Sequence, residues 1–423
     1  MTEYSSLLYE LKVDIDGYET NDISEFSVFR CPFIKTSSFA MLTLNVQTII
    51  FIGVETECKK HNYMTLKLTI KQNDMSKTDP KEYGETKEIT TKTYLIINVQ
   101  ADEKPDLESK YTSMTVYLVN PVLYYLNTTN SYNKIIEDKT GLDILKDYES
   151  HLTSLYGDKT FDFKKIGDSK NKNEFQYEQL LIRVKNDLLV PTWILQNHRP
   201  FNSFAFYFFD DFCITKQNKK DIIGYLINLD DKEQFNKIDC LEDPTEVSAG
   251  NKFIKTYVLN DVFNELSQEN PSKVVCGSDG QFKYKKAESQ NSVPNMRSQN
   301  SSEQLEPNRE VKTVSSSLEK KDKQPTEQTI LYTSDDIDGA ISRLETVKKQ
   351  ISEKLETASQ FYLRDSHLDF FQFGNIYNID PFVAQGYFYT PISIVNVFKR
   401  SFGKVPLANH HCHYILLKFK EDS

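Results

Sequence analysis

Between Met64 and Gln72, Met64, Leu66, Leu68 and Ile70 alternate with Thr65, Lys67, Thr69 and Lys71. A period of two sends the apolar set to one face of a strand and the polar set to the other, as in a sheet with one wet face. The same beat runs through Phe39–Gln47, where Ala40, Leu42, Leu44 and Val46 alternate with Met41, Thr43, Asn45 and Gln47. It continues in TYLIINVQ and YTSMTVYLVNP, with polar turn segments such as NDMSKTDPKEYGE between. Several short strands at this spacing predict an antiparallel barrel or sandwich over the first 120 residues.

After Pro121 the period changes. From Leu142, the positions Ile144, Leu145, Tyr148, Leu152 and Leu155 recur at three and four, which predicts an amphipathic helix ending at Gly157. A second helix is expected from about Tyr177, with Leu180, Leu181, Val184 and Leu188 on one side, stopping before Pro191. Strands return in RPFNSFAFYFFDDFCITKQ, DIIGYLINL and KFIKTYVLND. The first of these is apolar on both faces through Phe209, so it is expected in a core or a subunit interface. From about Gly277 to Thr329 the chain turns to Ser, Asn, Gln, Glu and Lys without an apolar period. Such a composition predicts a disordered linker. Thr333 or Ser334 then caps a helix striped by Ile337, Ile341, Leu344, Val347, Ile351 and Leu355. Strands resume from Phe361. The fold class is α+β, mainly β.

Composition narrows the function. At 423 residues the chain has room for two or three domains. Its net charge is −10 with the two signs interspersed. No clustered basic face is present to grip a phosphate backbone, so tight nucleic-acid binding is not expected. The six cysteines, at 31, 58, 213, 240, 276 and 412, include no C-x-x-C pair. They make neither a disulfide framework nor a zinc ribbon, and fit a reducing compartment. The opening MTEYSSLLYELKVDID lacks the blocks of a signal peptide. No apolar run approaches the roughly 18 residues of a membrane span. A soluble protein without membrane insertion, made in a cytoplasm, is expected.

Little catalytic chemistry is legible. There is no glycine-rich phosphate loop, no G-x-S-x-G and no H-E-x-x-H. The conspicuous cluster is His410, His411, Cys412 and His413. On a strand, His411 and His413 share one face with Ile415, while His410, Cys412 and Tyr414 share the other. Two histidines at i and i+2 can hold zinc, but a structural site wants four ligands. His61, His151, His198 and His367 show no partner spacing. His411 and His413 are therefore the metal candidates, and the polar start of a final strand is the preferred reading. Asp210 and Asp211 point to opposite faces and cannot easily converge on one atom, so a solvated strand end is expected. Asp335, Asp336 and Asp338 read as helix-start residues rather than a calcium loop. GSDG at 277–280 is too short for a site, and the aromatic run RPFNSFAFYFF lacks the basic neighbours of a base-stacking platform. No catalytic residue and no cofactor are expected.

The order of segments resembles a known family. YELKVDIDGYETNDISEFSVFRCPF and AMLTLNV precede VYLVNPVLYYLN and SYNKIIEDKTGLDIL. YEQLLIRVKNDLLVPTWIL and FAFYFFDDF follow, and FGNIYNI, SIVNVFKRSF and HHCHYILLKF close the chain. This order is similar to the baseplate hub proteins of contractile-tailed bacteriophages, the T-even type, and to the spike bases of type VI secretion. The resemblance implies two antiparallel β-barrel tube domains separated by an α+β insertion, with final strands that return to the second barrel after a long polar excursion. The implied division is a first barrel at 1–120, an insertion at 121–190 and the first part of the second barrel at 191–276. A polar linker at 277–330, a helix at 331–360 and completing strands at 361–423 follow. The length of the polar excursion and the helix after it depart from the family pattern. The resemblance also implies a homotrimer in the virion tail baseplate, assembled in the host cytoplasm. It would join a hexameric tail tube protein to a trimeric central spike protein, beside other baseplate proteins, without enzyme activity. No functional residues carry across. Two alternatives stay open: a free-standing β-rich ligand- or carbohydrate-binding protein, and a metal-dependent hydrolase built on the histidines with Asp210 and Asp211.

Overall fold

The alternating segments close on themselves. The computed structural model describes residues 8–32, 35–73, 87–101, 110–241 (except 169, 171, 173, 199, 202–204, 213–220 and 230), 252–253, 257–260, 282–286, 312–314, 328–332, 358–364, 371–379, 387–401 and 407–420. The amino-terminal part gives the ring six strands: β1 (Leu8–Ile15), β2 (Ile23–Arg30), β3 (Phe39–Gln47), β4 (Thr65–Asn73), β5 (Lys87–Ala101) and β6 (Tyr111–Val119). Two more form the terminal hairpin, Tyr387–Arg400 and Leu407–Lys420. The pairings run from the first hairpin strand through β2, β3, β6, β5, β4 and β1 to the second hairpin strand, every one antiparallel. The hairpin's own pairing completes a ring of eight. The apolar half of each alternation fills the interior, including Leu11, Val13, Leu42, Leu44, Leu66, Leu68, Val116 and Leu118. Eight strands leave an interior just wide enough for side chains, so this barrel is a packed core and not a channel. A helix the pattern did not announce, α1 (Thr48–Lys59), links β3 to β4 and lends Phe51 and Val54 to that core.

The hairpin belongs to a second sheet as well. Ile394–Lys399 pair with β2, whereas Tyr389 pairs with Tyr377 of Asn375–Ile379. Between the two lies an irregularity at Pro391–Ser393. Proline lacks the ladder N–H, and a bulge bends its strand, so the change of partners falls where the strand can turn. The second sheet runs in the order Lys252–Phe253, Asn236–Leu241, Asn375–Ile379, the two hairpin strands, Ala358–Arg364, Tyr257–Asn260. Its outermost strands are four residues apart in the chain, a distance of at most about 14 Å when extended. The sheet therefore curls back toward itself. It is mixed rather than wholly antiparallel, because Asn236–Leu241 runs parallel to both of its neighbours. More than a hundred residues separate Asn236–Leu241 from Asn375–Ile379, ample chain for a parallel crossover.

After β6 the chain continues with α2 (Pro121–Thr128), capped by Asn120 Oδ1 on the Val122 N–H at 2.9 Å. It continues with β7 (Lys134–Thr140) and α3 (Gly141–Tyr156). Helix α3 matches its sequence pattern: Thr140 and Asp143 form a capping box, and Gly157 ends it at φ 85°. The second expected helix is not formed at Tyr177. Gln176–Ile182 is a strand, β9 after β8 (Phe161–Ile166), and it pairs antiparallel with β7 so that Leu181 faces Ile135. The helix starts where it was expected to stop, as α4 (Val190–Asn197). Pro191 sits in its first turn, where its missing N–H costs nothing. Strands β10 (Ala205–Asp210) and β11 (Ile222–Asn228) then form a three-stranded sheet with β8, parallel between β8 and β11.

The chain divides into two compact units. The first comprises residues 1–200, 205–259 and 360–423, and the second 201–204 and 260–359. Within the second, Phe282–Lys286, Lys312–Val314 and Gln328–Tyr332 form a three-stranded sheet inside the stretch expected to lack structure. The alternation of Phe282 and Tyr284 with Lys283 and Lys285 is a short period-two signal within that polar composition. The helix expected over 337–355 lies outside the described residues.

Candidate functional site: a polar joint where three sheets meet

Arg30 ends β2, Asp210 ends β10, and Phe373 precedes the strand Asn375–Ile379. These positions bring the ring, the three-stranded sheet and the second sheet to one point. Arg30 is 3% exposed and Asp210 is wholly buried. The guanidinium Nε donates to both carboxylate oxygens at 3.0 Å, and Nη2 donates to Oδ2. The Phe212 N–H adds a bond to Oδ1 at 3.1 Å. The central carbon of the guanidinium lies over the Phe373 ring, 5.3 Å from its centre, and that ring packs on Phe208 and Tyr225, each at 5.7 Å. A buried charge survives only when paired and hydrogen-bonded, and this one is both.

Asp211 is also buried, so neither aspartate is the solvated strand end expected from the sequence. The strand does not run out into water. The segment Thr36–Ser38 lies alongside it, with the Ser38 N–H bonded to Phe209 O at 2.9 Å and the Phe209 N–H bonded to Thr36 O at 3.0 Å. The Ser38 hydroxyl donates to Asp211 Oδ1, and the Asp211 N–H donates to Ser38 Oγ at 3.0 Å. Burial raises the Asp211 pKa above the usual carboxylate value. On the far side of Arg30, the Cys31 thiol lies 2.9 Å from the Ser393 hydroxyl at the hairpin irregularity. Sequence reasoning noted the two aspartates and missed Arg30 and Ser38. An arginine on the same beat as Phe26 and Val28 was the available signal.

The histidines stand on the second hairpin strand. His410 and Cys412 face inward and are fully buried. The Asn396 amide donates to His410 Nε2 at 3.1 Å and reaches Cys412 Sγ at 3.5 Å. Burial pushes the Cys412 thiol up to about 12. His411 and His413 lie on the opposite face, half-buried, with the Tyr362 ring 6.0 and 4.4 Å from theirs. Burial and the neighbouring His411 lower the His413 pKa. Among the described residues, no group of three or more His, Cys, Asp or Glu side chains comes together as a metal cage.

One constellation resembles a hydrolytic triad in its residue types alone. Ser131 Oγ lies 2.6 Å from Asp187 Oδ2 and 3.0 Å from His151 Nε2. The serine has a single proton, and the carboxylate takes it. His151 therefore faces the hydroxyl as a donor, not as the base a nucleophilic serine requires. Asp187 also accepts the Ser131 and Tyr132 N–H groups at 3.0 Å each and the Thr129 hydroxyl at 3.1 Å. Its work is to shape the loop after α2. Outward on the β7–β9 ribbon, the cross-strand partners Ile135 and Leu181 are 59% and 58% exposed, and Phe175, just before the other end of β9, is 48% exposed. No described helix is long and apolar enough to cross a membrane.

No family model and no curated protein matches the chain. Solved structures do resemble it across nearly its whole length. A tail protein from Neisseria meningitidis MC58 is 9% identical with a TM-score of 0.47, covering 98% of this chain and 97% of its own. The 43 kDa tail protein of prophage MuSo2 from Shewanella oneidensis is 8% identical with a TM-score of 0.49, at 96% coverage of each chain. A chain of the phage P2 baseplate in its activated conformation with Ca is 10% identical with a TM-score of 0.30, covering 96% of this chain and 98% of its own.

Proposed function

We propose that the chain is a structural baseplate hub, a homotrimeric adaptor between a sixfold tail tube and a threefold central spike in a phage tail or related injection machine. One observation carries this reading: each chain has an eight-stranded closed ring and a second curled sheet built on the same terminal hairpin. Three chains then supply six β-rich modules, two from each chain, enough to approximate sixfold symmetry around a threefold axis. Because the interior of the ring is packed with side chains, a passage for DNA or protein would run between chains along that axis. Closed assemblies of this kind use head-to-tail contacts, in which one surface meets a different surface of the next copy. The role is non-enzymatic and needs no cofactor or metal, and the partners are the tube, the spike and other baseplate proteins. The acidic balance of −10 suits a conduit that does not grip passing nucleic acid.

Light scattering on the purified chain, alone and with its spike, is expected to give three copies, and negatively stained particles a ring with a central hole. A chain that stays monomeric with its spike and is missing from purified tails would overturn the proposal.

A further inference from the structure

Two carboxyl groups and one guanidinium are sealed in the joint, so the charges do not balance one to one. Asp210 accepts from the guanidinium Nε at both oxygens, 3.0 Å each, and from Nη2 at Oδ2. Asp211 is 2% exposed, and its Oδ2 is buried without a hydrogen-bond partner. The Tyr94 hydroxyl, on ring strand β5, is also buried without one. Among the described residues, the cation acting on Asp211 is Lys92, whose ammonium is held 3.3 Å from the backbone oxygen of Asp221. An ionised carboxylate shut away from water without a paired cation is far costlier than the same group carrying its proton.

We propose that Asp211 is an un-ionised carboxylic acid in the folded protein at neutral pH, and that this neutrality lets its contacts with Ser38 stay sealed as a latch between the ring and the three-stranded sheet. Adjacent residues thus carry opposite charge states: Asp210 is the anion of the buried ion pair, and Asp211 is a neutral hydrogen-bonding group. The proton on Oδ2 removes the charge that an ionised group would leave uncompensated beside no hydrogen-bond partner. The groups that bear on it are Arg30 and Asp210 in the ion pair, Lys92 and Tyr94 on β5, and Ser38 on the facing segment. Burial is the largest influence; Lys92 and Ser38 pull the other way, and the charge of Asp210 adds to burial. A carboxyl whose folded pKa is raised keeps its proton in the folded state after the unfolded chain has lost it. Its contribution is whole below the unfolded pKa and is lost as pH rises through the folded one. The latch weakens on the alkaline side.

Infrared spectra of the full chain at pH 7, with and without carboxyl-¹³C aspartate, test this directly. The expected result is the carbonyl stretch of an un-ionised acid that shifts on aspartate labelling and is absent from D211N. D211N should melt within a few degrees of wild type at pH 7 and lose less between pH 5 and 9. D210N, which strands Arg30, should fall by on the order of 10 °C. A wild-type spectrum without a labelled un-ionised band overturns the proposal whether or not any variant folds. So does a band that persists in D211N, or a D211N that melts as low as D210N. If D211N does not fold, S38A must shift the band, because Ser38 donates to this carboxyl; an unmoved band again overturns it.

Discussion

Replacing Arg30 by methionine removes the cation on which three sheets converge. Methionine restores most of the aliphatic stem, so the perturbation is mainly the loss of charge and donors. Asp210, wholly buried, keeps only the Phe212 N–H at 3.1 Å among its described donors. Breaking a buried pair by removing one partner costs about 3–5 kcal/mol, and the guanidinium–Phe373 contact is contained in that figure. Removing both charges is different. R30M with D210L leaves no buried ion, and is expected to lie within about 1–2 kcal/mol of wild type. Urea unfolding followed by far-UV circular dichroism and by the fluorescence of Trp193, the single tryptophan, measures all three variants. The two single losses should sum to well above the loss in the double variant, with a coupling of at least about 4 kcal/mol. A single loss below about 1 kcal/mol, or simple additivity, would refute the claim that this pair ties the sheets together.

Gly167→Ala is expected to cost about 2–4 kcal/mol in thermal or urea melts: its φ is 74°, and a Cβ there would overlap the Asn228 carbonyl oxygen, a backbone atom that cannot turn aside. His198 has both ring nitrogens buried without hydrogen bonds, between Tyr177 and Trp193 at 4.7 Å each, and burial lowers its pKa to about 4. Its unfolded form takes up a proton first as pH falls from about 6.5, so stability should drop between there and about 4; H198F, compared at pH 5 and 7, should be neutral or stabilising and flatten that dependence. Asp187→Asn retains one acceptor oxygen for four donors and should lower stability by roughly 1–3 kcal/mol, with faster amide exchange at Ser131 and Tyr132.

Much of the ring was legible because sheet formation repeats a local rule. Four alternating segments in the first 120 residues became β3 to β6, and the spacing of three and four in α3 stood out together with its Thr140 cap and Gly157 stop. The misreadings also have local causes. Leu180, Leu181 and Val184 satisfy a helical spacing by chance in a segment too short to separate two periods, and β7 decided the matter by pairing with it. Pro191 was taken as a stop because proline interrupts helices, although it suits a first turn equally well. Asp210 and Asp211 looked solvated because charge at a strand end normally meets water.

Sequence by itself determined that the four alternating segments of the first 120 residues are strands, which face of each is apolar, and that the chemistry of a conventional active site is not spelled out. Those properties depend on residues two to four positions apart, within reach of the backbone's own geometry. Tertiary structure alone decided that one hairpin closes the ring and continues into a second sheet. It also decided that Arg30 meets Asp210 across 180 residues and that Cys31 meets Ser393 across 362. No periodicity records such meetings, because they depend on how completed sheets close and on what the closure shuts away from water. The same aspartate that would be an ordinary anion at a solvated strand end becomes, under the Thr36–Ser38 segment, a buried group whose charge has no place to go.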